Sequence, residues 1–367
     1  MMRKICFFCG GFAANGGIGR VVSVLSDDLQ KNTGYSVFLC SLYEREADAY
    51  YPINPECGNT ILFENPIGMT KAMLCEHAIK KLVNYIKTNG IELIVACGAL
   101  YYPLVVIAAK LSGIKCICWE HISPEIKSDY KFQDRARSFG AKHSDSNVVL
   151  TKSALKTYEK RFSKSNNRQI YNPIDPKLLE SRCTYNRGST KIVSVGRLAP
   201  QKNFDRLLDI AKLVLPGNPQ WTWDVYGEGP LRPHLEEKAK NLGIGDIVRF
   251  CGQVNDLYDR YEDYSFIVMT SDYEGFPMTL LEGAAKGLPM VSFDIQTGPN
   301  EIIRSGVNGY LCSSGNNSEM AEMIDKLINS PEMRVKMSHE SRGTAEKFQL
   351  SDIRNKWVSV IESVLNE

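Results

Sequence analysis

Short apolar runs alternate with amphipathic stretches along the whole chain, and this alternation limits the possible folds more than any other feature of the sequence. Runs at 3–8, 36–41, 60–63, 92–96, 115–119 and 147–150 predict strands, with helices over roughly 17–31, 69–88, 101–112, 128–141 and 152–160. A polar stretch at 180–190 (ESRCTYNRGST) has the composition of a linker or surface loop. A second series of strands follows at 191–195, 221–226, 247–250, 266–270, 289–293 and 310–312. Such alternation is satisfied by parallel sheets covered by helices on both faces. The expected fold class is therefore α/β, with two Rossmann-like doubly wound domains, the first over 1–180 and the second over 181–350. The end of the chain, 351–367, holds an amphipathic helix with Ile353, Trp357, Val360, Ile361 and Val364 at helical spacing. Open α/β sheets bind ligands at the carboxyl ends of their strands, so two in tandem are expected to face a common cleft.

A chain of 367 residues is long enough for two domains, and 43% hydrophobic with 23% charged residues describes a globular protein. A net charge of +2 argues against nucleic acid as a partner. The charge is uneven, because residues 126–168 hold eleven Lys/Arg against four Asp/Glu. That stretch suits an anionic membrane surface, where each cation near the headgroups is worth about 1 kcal/mol; the competing reading is a solvated helix face. The eleven cysteines are odd in number, and Cys6, Cys9, Cys97, Cys116, Cys118 and Cys251 fall in apolar, strand-like runs. They are expected to be small buried residues in a reducing compartment. Cys6 and Cys9 have C-x2-C spacing, but no second pair or histidine follows at metal-site distance, so no metal is expected. The opening MMRKICFFCGG imitates a signal peptide but breaks at Gly10-Gly11 without a cleavage pattern. Lys110 and Lys115 interrupt the best candidate for a membrane span. The expectation is a cytoplasmic protein with a peripheral contact to the inner face of the cell membrane.

The stretch 271–300, SDYEGFPMTLLEGAAKGLPMVSFDIQTGPN, carries the chemistry. A buried strand precedes it, and Pro277 is expected at the first position of a helix from about Met278 to Lys286. The amides of Met278 and Thr279 are then free donors at the positive end of the helix dipole, an anion site most often used for phosphate. Glu274 precedes the turn and Glu282 leaves the second helical turn, so the two carboxylates bracket the anion. Two acceptors around a phosphate cradle suit a nucleotide-sugar, one for sugar hydroxyls and one for ribose. The competing reading is an exposed helix with ordinary solvated glutamates.

This stretch resembles the E-x7-E signature of the retaining glycosyltransferases of family four, which have the two-domain GT-B architecture and include bacterial surface-polysaccharide enzymes. The resemblance extends to IVSVGRLAPQKNFDRLL (192–208), WTWDVYGEGPLRPHLEE (221–237) and VRFCGQV (248–254), in the family's order. It implies that Arg197 and Lys202, after Gly196, clamp the donor diphosphate. Two cations from one loop can stabilise the charge that grows on a leaving diphosphate. It further implies Glu274 on sugar hydroxyls and Glu282 on ribose. Gly275, Phe276, Pro277, Met278 and Thr279 lie around the sugar-phosphate, and Gly252 near the nucleobase. By the same resemblance the last helix crosses back onto the first domain.

In the first domain, AANGGIGR (13–20) would let backbone amides at Gly16 and Gly17 approach a ligand closely. It resembles the family's Gly-rich loop beside the donor diphosphate and the acceptor. A dinucleotide fingerprint is incomplete there, since Gly17-Ile18-Gly19-Arg20-Val21-Val22 lacks its third glycine. His121, at the end of the run CICWEH (116–121), matches the family's active-site histidine near the transferred sugar. Trp119, Tyr101 and Tyr102 are candidates to stack on acceptor sugars; the competing and commoner reading for aromatic residues at strand and helix ends is core.

No D-x-D motif and no cofactor signature accompany these residues, so charge neutralisation falls to Arg197, Lys202 and helix amides. The expected activity is metal-independent transfer, with retention, of a hexose or N-acetylhexosamine from a UDP-sugar to a lipid-linked oligosaccharide or polysaccharide. The catalytic candidates are His121, Glu274, Arg197 and Lys202. Competing readings are a non-hydrolysing nucleotide-sugar epimerase and a catalytically inactive nucleotide-sugar binding protein.

Overall fold

The computed structural model describes residues 2–12, 16–43, 51–63, 71–126, 131–180, 184–254 and 257–367. The chain divides into two compact units, Met1–Pro173 with Leu350–Glu367, and Ile174–Gln349. Each is a parallel sheet covered by helices, so the α/β expectation holds.

The first unit runs β1 (Arg3–Cys9), α1 (Gly17–Asn32), β2 (Tyr35–Tyr43), β3 (Gly58–Phe63), α2 (Lys71–Asn89), β4 (Leu93–Cys97) and α3 (Tyr102–Ser112). It continues with β5 (Lys115–Glu120), α4 (Lys131–His143), β6 (Ser146–Val149), α5 (Lys152–Arg161) and β7 (Asn167–Gln169). The strands pair in the order β3-β2-β1-β4-β5-β6-β7, all parallel. The central strands β1, from Ile5 to Cys9, and β4 are buried on both sides, which is why ICFFC and LIVAC read as continuous apolar runs instead of alternating ones. The edge strand β7, NRQ, carries no apolar signal and was not expected.

The second unit holds α6 (Lys177–Glu180), β8 (Lys191–Val195), α7 (Phe204–Val214), β9 (Thr222–Tyr226), α8 (Arg232–Asn241), β10 (Val248–Gly252), α9 (Leu257–Arg260) and β11 (Phe266–Met269). It continues with α10 (Met278–Ala285), β12 (Met290–Asp294), α11 (Pro299–Ile302), β13 (Gly309–Ser313), α12 (Asn317–Asn329) and α13 (Pro331–Ala345). Its sheet is again parallel, in the order β10-β9-β8-β11-β12-β13. Trp223, Val225, Phe266, Phe293 and Leu207 form part of a buried core between this sheet and its helices. The final helix, α14 (Leu350–Asn366), belongs to the first unit. Its Trp357 is fully buried in edge-to-face contact with Trp119 at 4.7 Å and Phe7 at 6.1 Å, and its Arg354 pairs with Asp28 at 3.2 Å.

Two local expectations are corrected. Cys251 is exposed, because β10 is the sheet's edge and alternate side chains there face out; Cys6, Cys9, Cys97, Cys116 and Cys118 are buried free thiols. Pro277 is not the first helical residue but the one before it, with ψ 93, and α10 ends at Ala285 with Lys286 as its cap. Among the described residues no helix is long and apolar enough to cross a membrane.

Candidate functional site

In the second unit the chain leaves β8 toward β9 and β10 on one side, while β11 leads to β12 and β13 on the other. The loops after β8 and β11 therefore leave paired strands at the point where the strand order reverses, the place at which open α/β sheets bind ligands. Gly196, Arg197 and Lys202 follow β8, and Glu274 to Thr279 follow β11. Residues some seventy positions apart in sequence are thus neighbours for a topological reason.

The two loops are joined by specific bonds. Lys202 Nζ lies 2.6 Å from Glu274 Oε1, with side-chain exposures of 18% and 8%. Beneath that pair, Thr270 Oγ1 donates to the carbonyls of Lys202 and Asn203, each at 3.1 Å. The Asn203 amide donates to both Asp272 oxygens at 3.0 and 3.1 Å, and the Asp272 amide donates to the Gln201 carbonyl at 3.0 Å. Asn203 sits in the left-handed region at φ 47, which asparagine tolerates better than most residues, and its Oδ1 accepts from the Arg206 amide to cap α7. Gly196 makes room for the lysine stem, since a Cβ there would stand 3.2 Å from Lys202 Cδ and Cε. Arg197 is exposed, and its guanidinium has no ion pair or hydrogen bond among the described residues. One cation is neutralised in place and the other is unengaged.

The start of α10 has no side-chain cap, so the amides of its first turn point outward unpaired by any capping group. Met278 and Thr279 are half-buried there. A third loop, after β12, closes over this turn. Thr297 Oγ1 donates to the Glu274 carbonyl at 2.6 Å, and Gly298 at φ 105 passes so near Pro277 that a Cβ would lie 2.6 Å from its Cδ. Gly275 is half-buried in the turn; the Phe276 ring is buried against Phe348 at 5.4 Å, so what it can offer a ligand is backbone.

Glu274 and Glu282 are 6% and 2% exposed, which excludes the solvated-helix reading. Burial of a carboxylate is costly unless it is bonded. Glu282 Oε2 accepts from the Tyr261 hydroxyl at 2.9 Å. Gly252, at the end of β10, is buried, and its carbonyl accepts from the Gly227 amide at 2.9 Å. It stands two strands from the Lys202 loop, with β9 between. Asn203, Asp272, Thr297 and Tyr261 were not singled out in the sequence. An Asn before a helical pattern signals a cap, but Tyr261 and Thr297 are brought in only by tertiary structure.

In the first unit the equivalent divergence lies between β1 and β4. Gly16 caps α1 with extended backbone and no side-chain bond, and Gly17 is exposed; residues 13–15 of the glycine-rich loop lie outside the described residues. His121 directly follows β5, is 9% exposed, and its buried Nε2 has no partner among the described residues. Its ring lies 4.4 Å from that of Trp119. Burial pushes the imidazole pKa down to about 3, so it is neutral at physiological pH. The preceding Glu120 is spent structurally, paired with buried Arg137 at 2.7 Å and accepting from Tyr158 at 3.1 Å. Trp119 and Tyr102 are fully buried core residues, so neither stacks on a ligand; Tyr101 is half-buried.

The chain is similar to known proteins in sequence and in fold. Residues 184–344 match the family described as Glycosyl transferases group 1. An uncharacterized glycosyltransferase of Haemophilus influenzae is 29% identical over 361 residues, covering 98% of this chain and 100% of that protein. The amylovoran biosynthesis glycosyltransferase AmsD of Erwinia amylovora is 28% identical over 369 residues, covering 98% and 100%. Among solved structures, a TarM variant of S. aureus, in complex with Fondaparinux, alpha-GlcNAc-glycerol and UDP, superposes with a TM-score of 0.85 at 15% identity and full coverage of both chains. The chain thus has the GT-B class of fold, and its similarity to the group 1 glycosyl transferases falls within the second unit.

Proposed function

We propose that this protein transfers a hexose or N-acetylhexosamine from a UDP-sugar to a lipid-linked oligosaccharide or polysaccharide, with retention at the anomeric carbon and without a metal ion. The observation that carries this reading is the meeting of Lys202 and Glu274 ahead of the uncapped start of α10, with the exposed Arg197 in the same loop as Lys202. Two cations and a row of amides match a diphosphate in charge and geometry. Arg197 and Lys202 hold that group, the backbone at Gly275, Phe276, Pro277, Met278 and Thr279 surrounds the sugar-phosphate, and Gly196 gives clearance. Glu274, once its lysine turns to phosphate, accepts from sugar hydroxyls, while Glu282 binds ribose and Gly252 lies near the base. The first unit serves the acceptor through Gly16 and Gly17, and neutral His121 makes a hydrogen bond to sugar. The domains are proposed to divide the work as 1–180 for acceptor, 181–350 for donor, and 351–367 as the returning helix.

In the reaction the bond from the anomeric carbon to the diphosphate oxygen breaks and a bond to the acceptor oxygen forms on the same face. The acceptor proton passes to the departing phosphate oxygen. The protein's part is to position both reactants and stabilise the growing charge. UDP as the leaving group is supported by the nucleotide in the TarM complex, and a polysaccharide product by the amylovoran relative.

The membrane end of the acceptor is supported by Lys152, Lys156 and Lys160, exposed at successive turns of one face of α5. Arg137 in the same basic stretch is buried and does not contribute, and residues 127–130 lie outside the described residues. Incubation with a panel of UDP-sugars tests the reading. UDP release that requires added lipid-linked glycan, with the product's anomeric proton coupling matching that of the donor, is expected. Epimerised donor without UDP, or binding without turnover, overturns it in favour of an epimerase or an inactive binding protein.

A further inference from the structure

The 3-10 turn Tyr261–Asp263, which leads into β11, grips one face of α10. Tyr261 is fully buried and donates its hydroxyl to Glu282 Oε2 at 2.9 Å. Its neighbour Glu262 lies 3.4 Å from Lys286 Nζ, whose side chain is only 2% exposed. Glu282 and Lys286 are one helical turn apart, and the Lys286 amide donates to the Glu282 carbonyl at 3.1 Å. Two consecutive side chains of one short turn therefore hold two residues of α10, a carboxylate and an ammonium, in fixed rotation about the helix axis.

A glutamate has three rotatable side-chain bonds, and a ligand that needs its carboxylate in one orientation would otherwise bear the entropy of ordering it. We infer that Tyr261 is a positioning residue for the nucleotide site, occupying one oxygen of Glu282 so that the carboxylate is presented in one orientation to vicinal hydroxyls of a ribose. This rests on the proposed assignment of Glu282 to ribose. Tyr261 itself is sealed in the core and touches no ligand. Its effect is therefore confined to ligands that carry the hydroxyls Glu282 reads.

That confinement supplies the test. Calorimetric titration of UDP and of 2′,3′-dideoxyuridine diphosphate is carried out on the full chain and on Tyr261→Phe, which keeps the buried ring. Having to order the freed Glu282 side chain on binding should weaken UDP binding by about three- to tenfold, with dideoxy-UDP binding unchanged. In turnover, the donor KM should rise in the variant while kcat at saturating donor stays. Equal weakening toward both nucleotides, or no weakening toward either, overturns the positioning role while leaving the ribose assignment standing. If the unmodified protein binds both nucleotides alike, the ribose assignment itself fails and the inference with it. Thermal melting of Tyr261→Phe and of Glu262→Gln, which loosens the same turn without touching Glu282, controls for general loss of packing. A Glu262→Gln variant that reproduces the UDP-specific loss would move the role from the hydroxyl to the turn as a whole and so overturn it.

Discussion

The two units present strand ends of the same kind and treat their polar groups in opposite ways. Around β8 and β11 three of the charged side chains are already bonded, Lys202 to Glu274, Asp272 to Asn203, and Glu282 to Tyr261, while Arg197 stands exposed. Around β1 and β5 the buried His121 Nε2 has no partner among the described residues, and α1 is preceded by a glycine with no side-chain cap. A site whose charges hold one another keeps its shape when empty, and a ligand must displace an internal partner to enter. A neutral, unpaired nitrogen requires no such exchange. Under the proposed function, the second unit would supply electrostatic preorganisation and the first a weaker, neutral contact.

The largest test of that contrast is Lys202→Ala. If Lys202 stabilises the departing diphosphate, kcat/KM for transfer should fall by about 10²–10³, the range seen when one preorganised donor is removed. The same change leaves the nearly buried Glu274 without its partner. Chemical denaturation should therefore show a loss of on the order of 3 kcal/mol, which Lys202→Arg should largely restore. Full turnover in a folded Lys202→Ala variant would remove the diphosphate assignment.

A smaller effect is expected from acid in the first unit. His121 has a folded pKa of about 3, below the ordinary value of 6.5, so the unfolded chain takes up the proton first as pH falls. Stability is unaffected above the unfolded pKa and declines as pH drops from about 6.5 toward 3. The cost at the acid end is on the order of a few kcal/mol. His121→Phe should flatten the melting temperature over that window relative to the unaltered protein. An unchanged slope would show that other groups govern acid unfolding.

The smallest effect sharpens the distinction between core and site. Tyr102 is fully buried and its hydroxyl has no partner among the described residues. Removing an unsatisfied polar group from the interior is neutral or favourable. Tyr102→Phe should change stability by less than about 1 kcal/mol and leave transfer untouched. A marked loss of activity would return this residue to the acceptor site.

Much of the fold was legible because parallel strands buried on both faces advertise themselves as unbroken apolar runs, as ICFFC, LIVAC and FIVM do. Edge elements are only half covered and give no such signal, which explains the unexpected β7 and the exposed Cys251 on β10. Within the site, Glu274 and Glu282 stood out as carboxylates flanking a helix start, and Arg197 and Lys202 through the family resemblance of the segment that holds them. Their partners did not. Tyr261 precedes Glu282 by 21 positions, and Thr297 reaches back 23 to the Glu274 carbonyl. Tyr102 and Trp119 show the converse, since an aromatic at the end of an element reads the same whether it faces ligand or core.

Residue order settled the repeating α/β pattern, the places where helices begin and the kinds of charge available near them, because each depends on neighbours a few positions away. Which charges meet was decided by the order of strands in the sheet. Pairing β8 with β11 brings Lys202 within 2.6 Å of Glu274, and no local periodicity encodes that choice. Packing also determined that the two glutamates are buried and that one is held by a phenol. Burial depends on what the rest of the chain places over a side chain, and that is a property of the folded whole.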